Sequence, residues 1–370
     1  MKKLLQKIWF CLLLGGTAML LFTGALMFWA GHFPDIFFSL YTPFSGKILY
    51  LKGQITGIFP FSVYELIVLA LTLTAFLTGI LAIRKAKPGT WLALVYACVC
   101  TGVFLFAALW GLNHLGPDAG EKLCFEAGKY TAAELKEAAE YYMNKAEEIA
   151  ALLPEEEDGT TRFPSFRELS GNVRLGFDAI AGKAGKPGSP YTAEFRLLAD
   201  PGARVKPLAA SRLFAYTGTT GIFIAFTGEA NVSTETYKAA IPFTMCHETA
   251  HRLSFAAEEE ANFIAFLTCE ANEKPEFQYS GHYLAFIYCF NSLYAADPSA
   301  AAELNEKMPP RLSADLRATN RHYAQFDGKV QNAAQKVNDG YLKVFGEEDG
   351  VRSYGMVTDY LIEWYLRKGI

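Results

Sequence analysis

Residues 241–263 read IPFTMCHETAHRLSFAAEEEANF and contain His247-Glu248-Thr249-Ala250-His251, an H-E-x-x-H pattern. On a helix, positions i and i+4 share a face, so both imidazoles can reach one ion about 2.0–2.1 Å away. Glu248 comes one residue after the first imidazole, where it reaches a water on that ion and not the ion itself. Zinc lowers the pKa of such a water to about 7, and a carboxylate so placed can take its proton. At average composition the pattern arises by chance in roughly one chain per hundred of this length. The bland reading is a solvated helix carrying two histidines, so context decides.

A zinc ion needs a third protein ligand, and Glu258, Glu259 and Glu260 begin seven residues past His251. Helical geometry separates them. Glu258 shares a face with Ala261, Asn262, Ala265 and Cys269, which are small or amide side chains that let a second helix pack closely. Glu259 and Glu260 look toward bulkier or more polar neighbours. Glu258 is therefore the expected ligand, with Asn262 one turn on as a supporting partner either to another ligand or to Glu258. An acidic triplet also suits the positive end of a helix, and both roles can hold together. Only six residues separate His251 from Glu258, so LSFAA must reverse the chain tightly.

Working outward, 51% of the 370 residues are hydrophobic and the mean hydropathy is +0.13, too apolar for an ordinary soluble enzyme. Three runs, about 8–30, 59–83 and 91–112, each reach the roughly 20 apolar residues that a bilayer requires, and Glu65 is the only carboxylate inside them. The first is longer than the apolar core of a cleaved signal peptide. Lys2, Lys3 and Lys7 precede it, and Arg84, Lys85 and Lys87 fill the link between the other two. Positive residues stay inside, so three crossings place everything after Asn113 outside the cytoplasm. Residues 1–112 carry 8 Lys/Arg against 2 Asp/Glu, and the remainder 26 against 36, giving +6 and −10. An acidic outer portion excludes nucleic acid as a partner. Four scattered cysteines there show no metal-finger spacing and read as small buried residues.

Residues 31–58 read as an outer loop lying along the lipid interface. A helix is expected from Thr131 to about Leu153, where Thr131 and Glu134 form a capping box, and a second over 166–180. RLFAYTGTTGIFIAFTGEANVS (212–233) reads as strand, turn, strand. GIFIAFTGEANV within it is a candidate edge strand for an extended peptide, or equally an ordinary core strand. His282–Ala296 is apolar but short, hence a core helix.

HETAH followed by EEEANFIAFL resembles the gluzincin pattern, which implies Glu258 as ligand and Asn262 four residues further on. The whole chain is also similar to an uncharacterised bacterial family of three-span membrane proteins, a domain of unknown function. The stretches that carry the likeness are GIFPFSVYE, FTGEANVS, HETAHRLSFAAEEEANF, YSGHYLAFIY and DGVRSYG. Ser254 stands where relatives usually have glycine, and His282 where an aromatic is expected.

The expected architecture is three N-terminal transmembrane α-helices (1–112) followed by an α+β, mostly helical, zincin-like domain (113–370) outside the membrane. The expected function is a membrane-anchored, zinc-dependent metallopeptidase cutting protein or peptide substrates. His247, His251 and Glu258 would hold Zn2+, and Glu248 would be the base. An oxyanion stabiliser is usual beside zinc. His282, Tyr283, His322 and Tyr354 are candidates, with Tyr354 favoured. The rival is a zinc-binding sensor or scaffold without turnover, in which the base would have no purpose. An intramembrane protease would carry its motif within a span, whereas Pro242, Arg252 and three glutamates crowd this one.

Overall fold

The computed structural model describes residues 2–85, 87–125, 127–199, 201–344 and 356–368. The chain divides into two units. One comprises Met1–Gly116 with Ile224–Glu229, the other Pro117–Phe223 with Ala230–Ile370.

The first unit has four helices, α1 (Lys2–His32), α2 (Pro34–Thr56), α3 (Val63–Arg84) and α4 (Pro88–Leu109). Three segments are long and apolar enough to cross a membrane: Ile8–His32, Val63–Arg84 and Pro88–Leu109. The second begins later than its hydropathy suggests because Ser62 caps it, its side chain accepting from the Glu65 amide. No residue of α3 is buried among other side chains, as expected of a helix solvated by lipid. Helices α1 and α4 meet where Gly16 lies against the Tyr96 ring and Thr17 hydrogen-bonds Tyr96 at 3.0 Å.

Residues 34–56, read above as loop, are helical. Pro34 opens α2, and Phe37, Tyr41, Ser45, Leu49 and Gly53 are buried at four-residue spacing. Pro43 and the glycines, which looked like breakers, are outweighed by that packing. The opposite face exposes Ile36, Leu40, Phe44, Leu51 and Ile55, an apolar stripe suited to lipid.

Ile224–Glu229 joins these helices through specific contacts. Glu229, only 2% exposed, accepts from the Val63 and Tyr64 amides at 3.0 and 2.9 Å, an anion at a helix N-terminus. Lys52 and Thr56 donate to the Ala225 and Thr227 carbonyls. Gly228, at φ +69°, comes so close that a Cβ would lie 2.6 Å from the Gly53 nitrogen.

The second unit is mostly helical around a small sheet. Its helices are α5 (Ala119–Leu123), α6 (Ala132–Ala150), α7 (Phe166–Lys183), α8 (Ser211–Tyr216), α9 (Ile241–Arg252) and α10 (Glu258–Ala271). They continue with α11 (Pro275–Ala296), α12 (Pro298–Glu306), α13 (Pro310–Ala324), α14 (Lys329–Val344) and α15 (Met356–Arg367). The Thr131–Glu134 capping box is present. Strands β1 (Lys206–Leu208), β2 (Gly221–Ile224) and β3 (Glu229–Ser233) lie in the order β1-β3-β2, with β1 parallel to β3 in the register Lys206↔Asn231. RLFAY, expected as strand, belongs to helix α8, which stops before Gly218 at φ +74°. The strand–turn–strand reading therefore holds only from Gly221 onward.

Helices α9, α10, α7 and α11 make the core, where Phe177, Phe263, Phe266, Phe277 and Phe286 are buried. At Gly176 helix α7 touches the backbone of α10, and a Cβ would sit 2.8 Å from the Thr268 carbonyl carbon. The expected core helix at His282–Ala296 starts a full two turns earlier, since Pro275 is pre-shaped for a first turn.

Candidate metal centre

Helix α9 ends at Arg252, whose guanidinium donates to the Pro201 carbonyl at 2.9 Å and to that of Ala203. The reversal to α10 is made by Ser254 in the left-handed region, at φ +69°. That conformation is why glycine suits this position. The same turn brings the Phe255 carbonyl 2.8 Å from His251 Nδ1. A proton held there by the carbonyl leaves His251 Nε2 as a lone pair facing away, the tautomer a metal ligand requires.

That lone pair meets two others. His251 Nε2 lies 3.1 Å from His247 Nε2, Glu258 Oε2 lies 3.3 Å from His247 Nε2, and Glu258 Oε1 lies 3.7 Å from His251 Nε2. Donors at 2.0–2.1 Å on a tetrahedral ion are separated by about 3.3–3.4 Å. The three side chains thus form a group that could hold a metal ion, with spacings that fit zinc. Burial pulls His247 down, but Glu258, by hydrogen bond and charge, with Glu248 and Asn262, more than offsets this and leaves it above its ordinary pKa. A cluster that strengthens its hold on a proton in this way favours any cation placed there.

The acidic triplet divides as its helical positions suggest. Glu258 faces the imidazoles, while Glu260 accepts from the Ala119 amide at 2.9 Å and lies 3.8 Å from Lys122.

Glu248 is buried beside the cluster, and burial pushes its carboxyl up to about 8, against the lowering effect of His247. Glu258 raises it further and the Phe223 amide draws it back. Strand β2 runs directly over this carboxylate. A Cβ at Gly221 would lie 2.8 Å from Glu248 Cδ, so only glycine lets the strand pass. Neither Gly221 nor Phe223 stands out in the sequence, because nothing local marks a contact across 25 to 27 residues of chain.

A cavity of about 820 Å³ opens on the cluster, with His247, Glu258 and Asn262 in its wall. Tyr288 lines it too, half-buried, its phenol held protonated by burial and by the charge of Glu258. Among the oxyanion candidates, Tyr283 also lines the cavity, but its hydroxyl is engaged with Thr319 at 2.6 Å. His322 is bound to the Glu235 carbonyl. His282 is buried among Tyr141, Tyr142 and Phe266, outside the cavity wall. Tyr354 lies outside the described residues. Tyr288 closes the stretch YSGHYLAFIY and lies one helical turn past Leu284, which also lines the cavity.

A family model described as "Protein of unknown function (DUF3810)" matches residues 43–362. No curated protein and no solved structure matches the chain.

Proposed function

The chain belongs to the DUF3810 family of proteins of unknown function, and we propose that it is a membrane-anchored, zinc-dependent peptidase acting outside the cytoplasm. The observation that carries this reading is the convergence of His247, His251 and Glu258 at 3.1–3.7 Å, next to a buried carboxylate and an open cavity. Zinc bound there would supply Lewis-acid polarisation of a peptide carbonyl and a water of lowered pKa.

The remaining chemistry falls to the chain's own residues. Glu248 takes a proton from the attacking water and returns it to the departing amine. Its raised proton affinity suits the second half of that exchange, and a nearby cation would restore the charged form needed for the first. The Phe223 amide keeps the carboxylate in place. Tyr288 donates its phenolic hydrogen to the oxygen on which negative charge develops. Asn262 supports His247 from α10. The apolar spans hold the enzyme in the bilayer, and the Lys/Arg asymmetry around them supports an outward C-terminal portion.

The test uses the full-length protein in detergent micelles. One zinc per chain is expected by elemental analysis, and His247→Ala or His251→Ala should abolish it. Stoichiometric zinc in both variants would sink the assignment. A reporter fused after Ile370 should be active only outside the cytoplasm. Failure of zinc-loaded protein to cut any peptide of a broad library would replace this reading with a sensor or scaffold.

A further inference from the structure

The cavity beside the cluster is a groove to which several helices contribute, α9, α11 and α13 among them. Helix α9 presents Phe243, Thr244 and His247, and α11 presents Leu284, Ile287 and Tyr288. Helix α13 presents Ser313, Leu316, Arg317 and Asn320, spaced i, i+3, i+4 and i+7. The α11 wall is largely apolar, with Phe243 of α9 beside it, which suits bulky aliphatic or aromatic side chains. On α13 one charge interrupts them.

That charge differs from others in this acidic portion of the chain. Arg311 lies 3.0 Å from Glu155, Lys136 2.6 Å from Glu303, and Lys368 2.8 Å from Glu270. Arg317 is exposed and donates to Ser313 Oγ at 2.6 Å; among the described residues it has no other hydrogen bond and meets no carboxylate. A guanidinium has five N–H donors in a fork that matches a carboxylate two-to-two. Among the described residues Glu258 is the one carboxylate in the cavity wall, and the proposed metal centre engages it. Among the described residues, then, the groove offers a guanidinium with no carboxylate paired to it.

We propose that the groove binds peptides carrying a carboxylate next to a bulky apolar residue, and that Arg317 pairs with that carboxylate. Arg317 is a specificity-determining residue for the peptidase reaction proposed above, on which this inference rests. The carboxylate comes either from an acidic side chain or from the free C-terminus.

Binding, measured apart from turnover, separates the two ideas. Full-length zinc-loaded Glu248→Gln protein in micelles is titrated with dansylated peptides built around a Phe-Leu pair. The peptides have a glutamate or glutamine after the pair and end as acid or amide. The carboxylate-bearing members should bind about five- to tenfold more tightly than the glutamine amide. A glutamate-only effect identifies the side chain, and an acid-only effect the terminus. Arg317→Gln should erase the preference while leaving the glutamine amide's affinity unchanged, an internal control for folding. Arg317→Lys should keep part of it. Equal affinity across the set, a preference that survives Arg317→Gln, or no binding by any member overturns the proposal. If the preference holds but wild-type protein cuts none of these peptides, the groove assignment stands and the hydrolytic reading falls.

Discussion

Among the described residues of the second unit are two histidine–glutamate groups, and they are built for opposite ends. Around His247 and His251, the lone pairs of two imidazoles and a carboxylate point at one another and open on a cavity. Around His282, the neighbouring carboxylate of Glu270 already has its partners, Lys368 at 2.8 Å and the Trp364 indole at 2.9 Å. His282 itself sits 3.9 Å from Glu270 within aromatic rings. Burial of the same two residue types says little about function. What separates the groups is whether the protein supplies its own cation or leaves a place for one.

The largest expected effect tests the first group as a catalyst. Glu248→Gln keeps size and hydrogen bonding but removes the base, so peptide cleavage should fall by about 10²–10⁴-fold while zinc content stays at wild-type level. Unchanged cleavage would move hydrolysis elsewhere. Next comes the ligand set. Glu258→Ala should cost most of the zinc affinity, whereas Glu259→Ala and Glu260→Ala should retain stoichiometric metal. A Glu260→Ala protein that comes out empty would dissolve the distinction between the two faces of α10.

The second group is tested by acid. Burial lowers the His282 pKa from 6.5 to about 4, despite the opposing charge of Glu270. Between those values the unfolded chain binds a proton that the folded chain refuses, so stability is full above about 6.5 and is lost as pH falls toward 4. The loss amounts to up to ~3 kcal/mol. His282→Phe should flatten that part of the pH–stability curve, followed by thermal unfolding, and leave zinc content alone. A drop in zinc would mean that the two groups are not independent.

The smallest effect concerns the turn between α9 and α10. Ser254→Gly relieves a left-handed serine whose hydroxyl is buried without a hydrogen-bond partner, and should raise stability by about 0.5–1 kcal/mol. A loss of stability would show that the serine side chain, and not the backbone, sets the turn.

The parts of this arrangement that are local in sequence were readable there. His247 and His251 share a face because four residues of helix put them there, and the Thr131 capping box is complete within four residues. The spans are readable because lipid imposes length and apolarity on each one separately. Helix α2 was hidden because Pro43, Gly46 and Gly57 carry the local signals of a loop, while the force that makes it a helix is packing of Phe37, Tyr41 and Leu49. The roles of Gly221 and Phe223 are set by a carboxylate on another element, and Tyr288 by a cavity assembled from several helices. Such contacts leave no periodic trace.

Glu229 carries a practical consequence for anyone wishing to make the portion after the third span alone. A cut after residue 112 looks clean on paper, yet Val63 and Tyr64 go with the discarded piece, and with them the two amides that neutralise a nearly inaccessible carboxylate. The remnant would lose both of these donors to Glu229 at the start of the central strand β3, and Gly228 would lose the helix surface it was shaped to meet. Poor yield or aggregation of such a fragment would then report a missing counterpart. The shortest piece worth purifying is the one that still contains its own membrane helices.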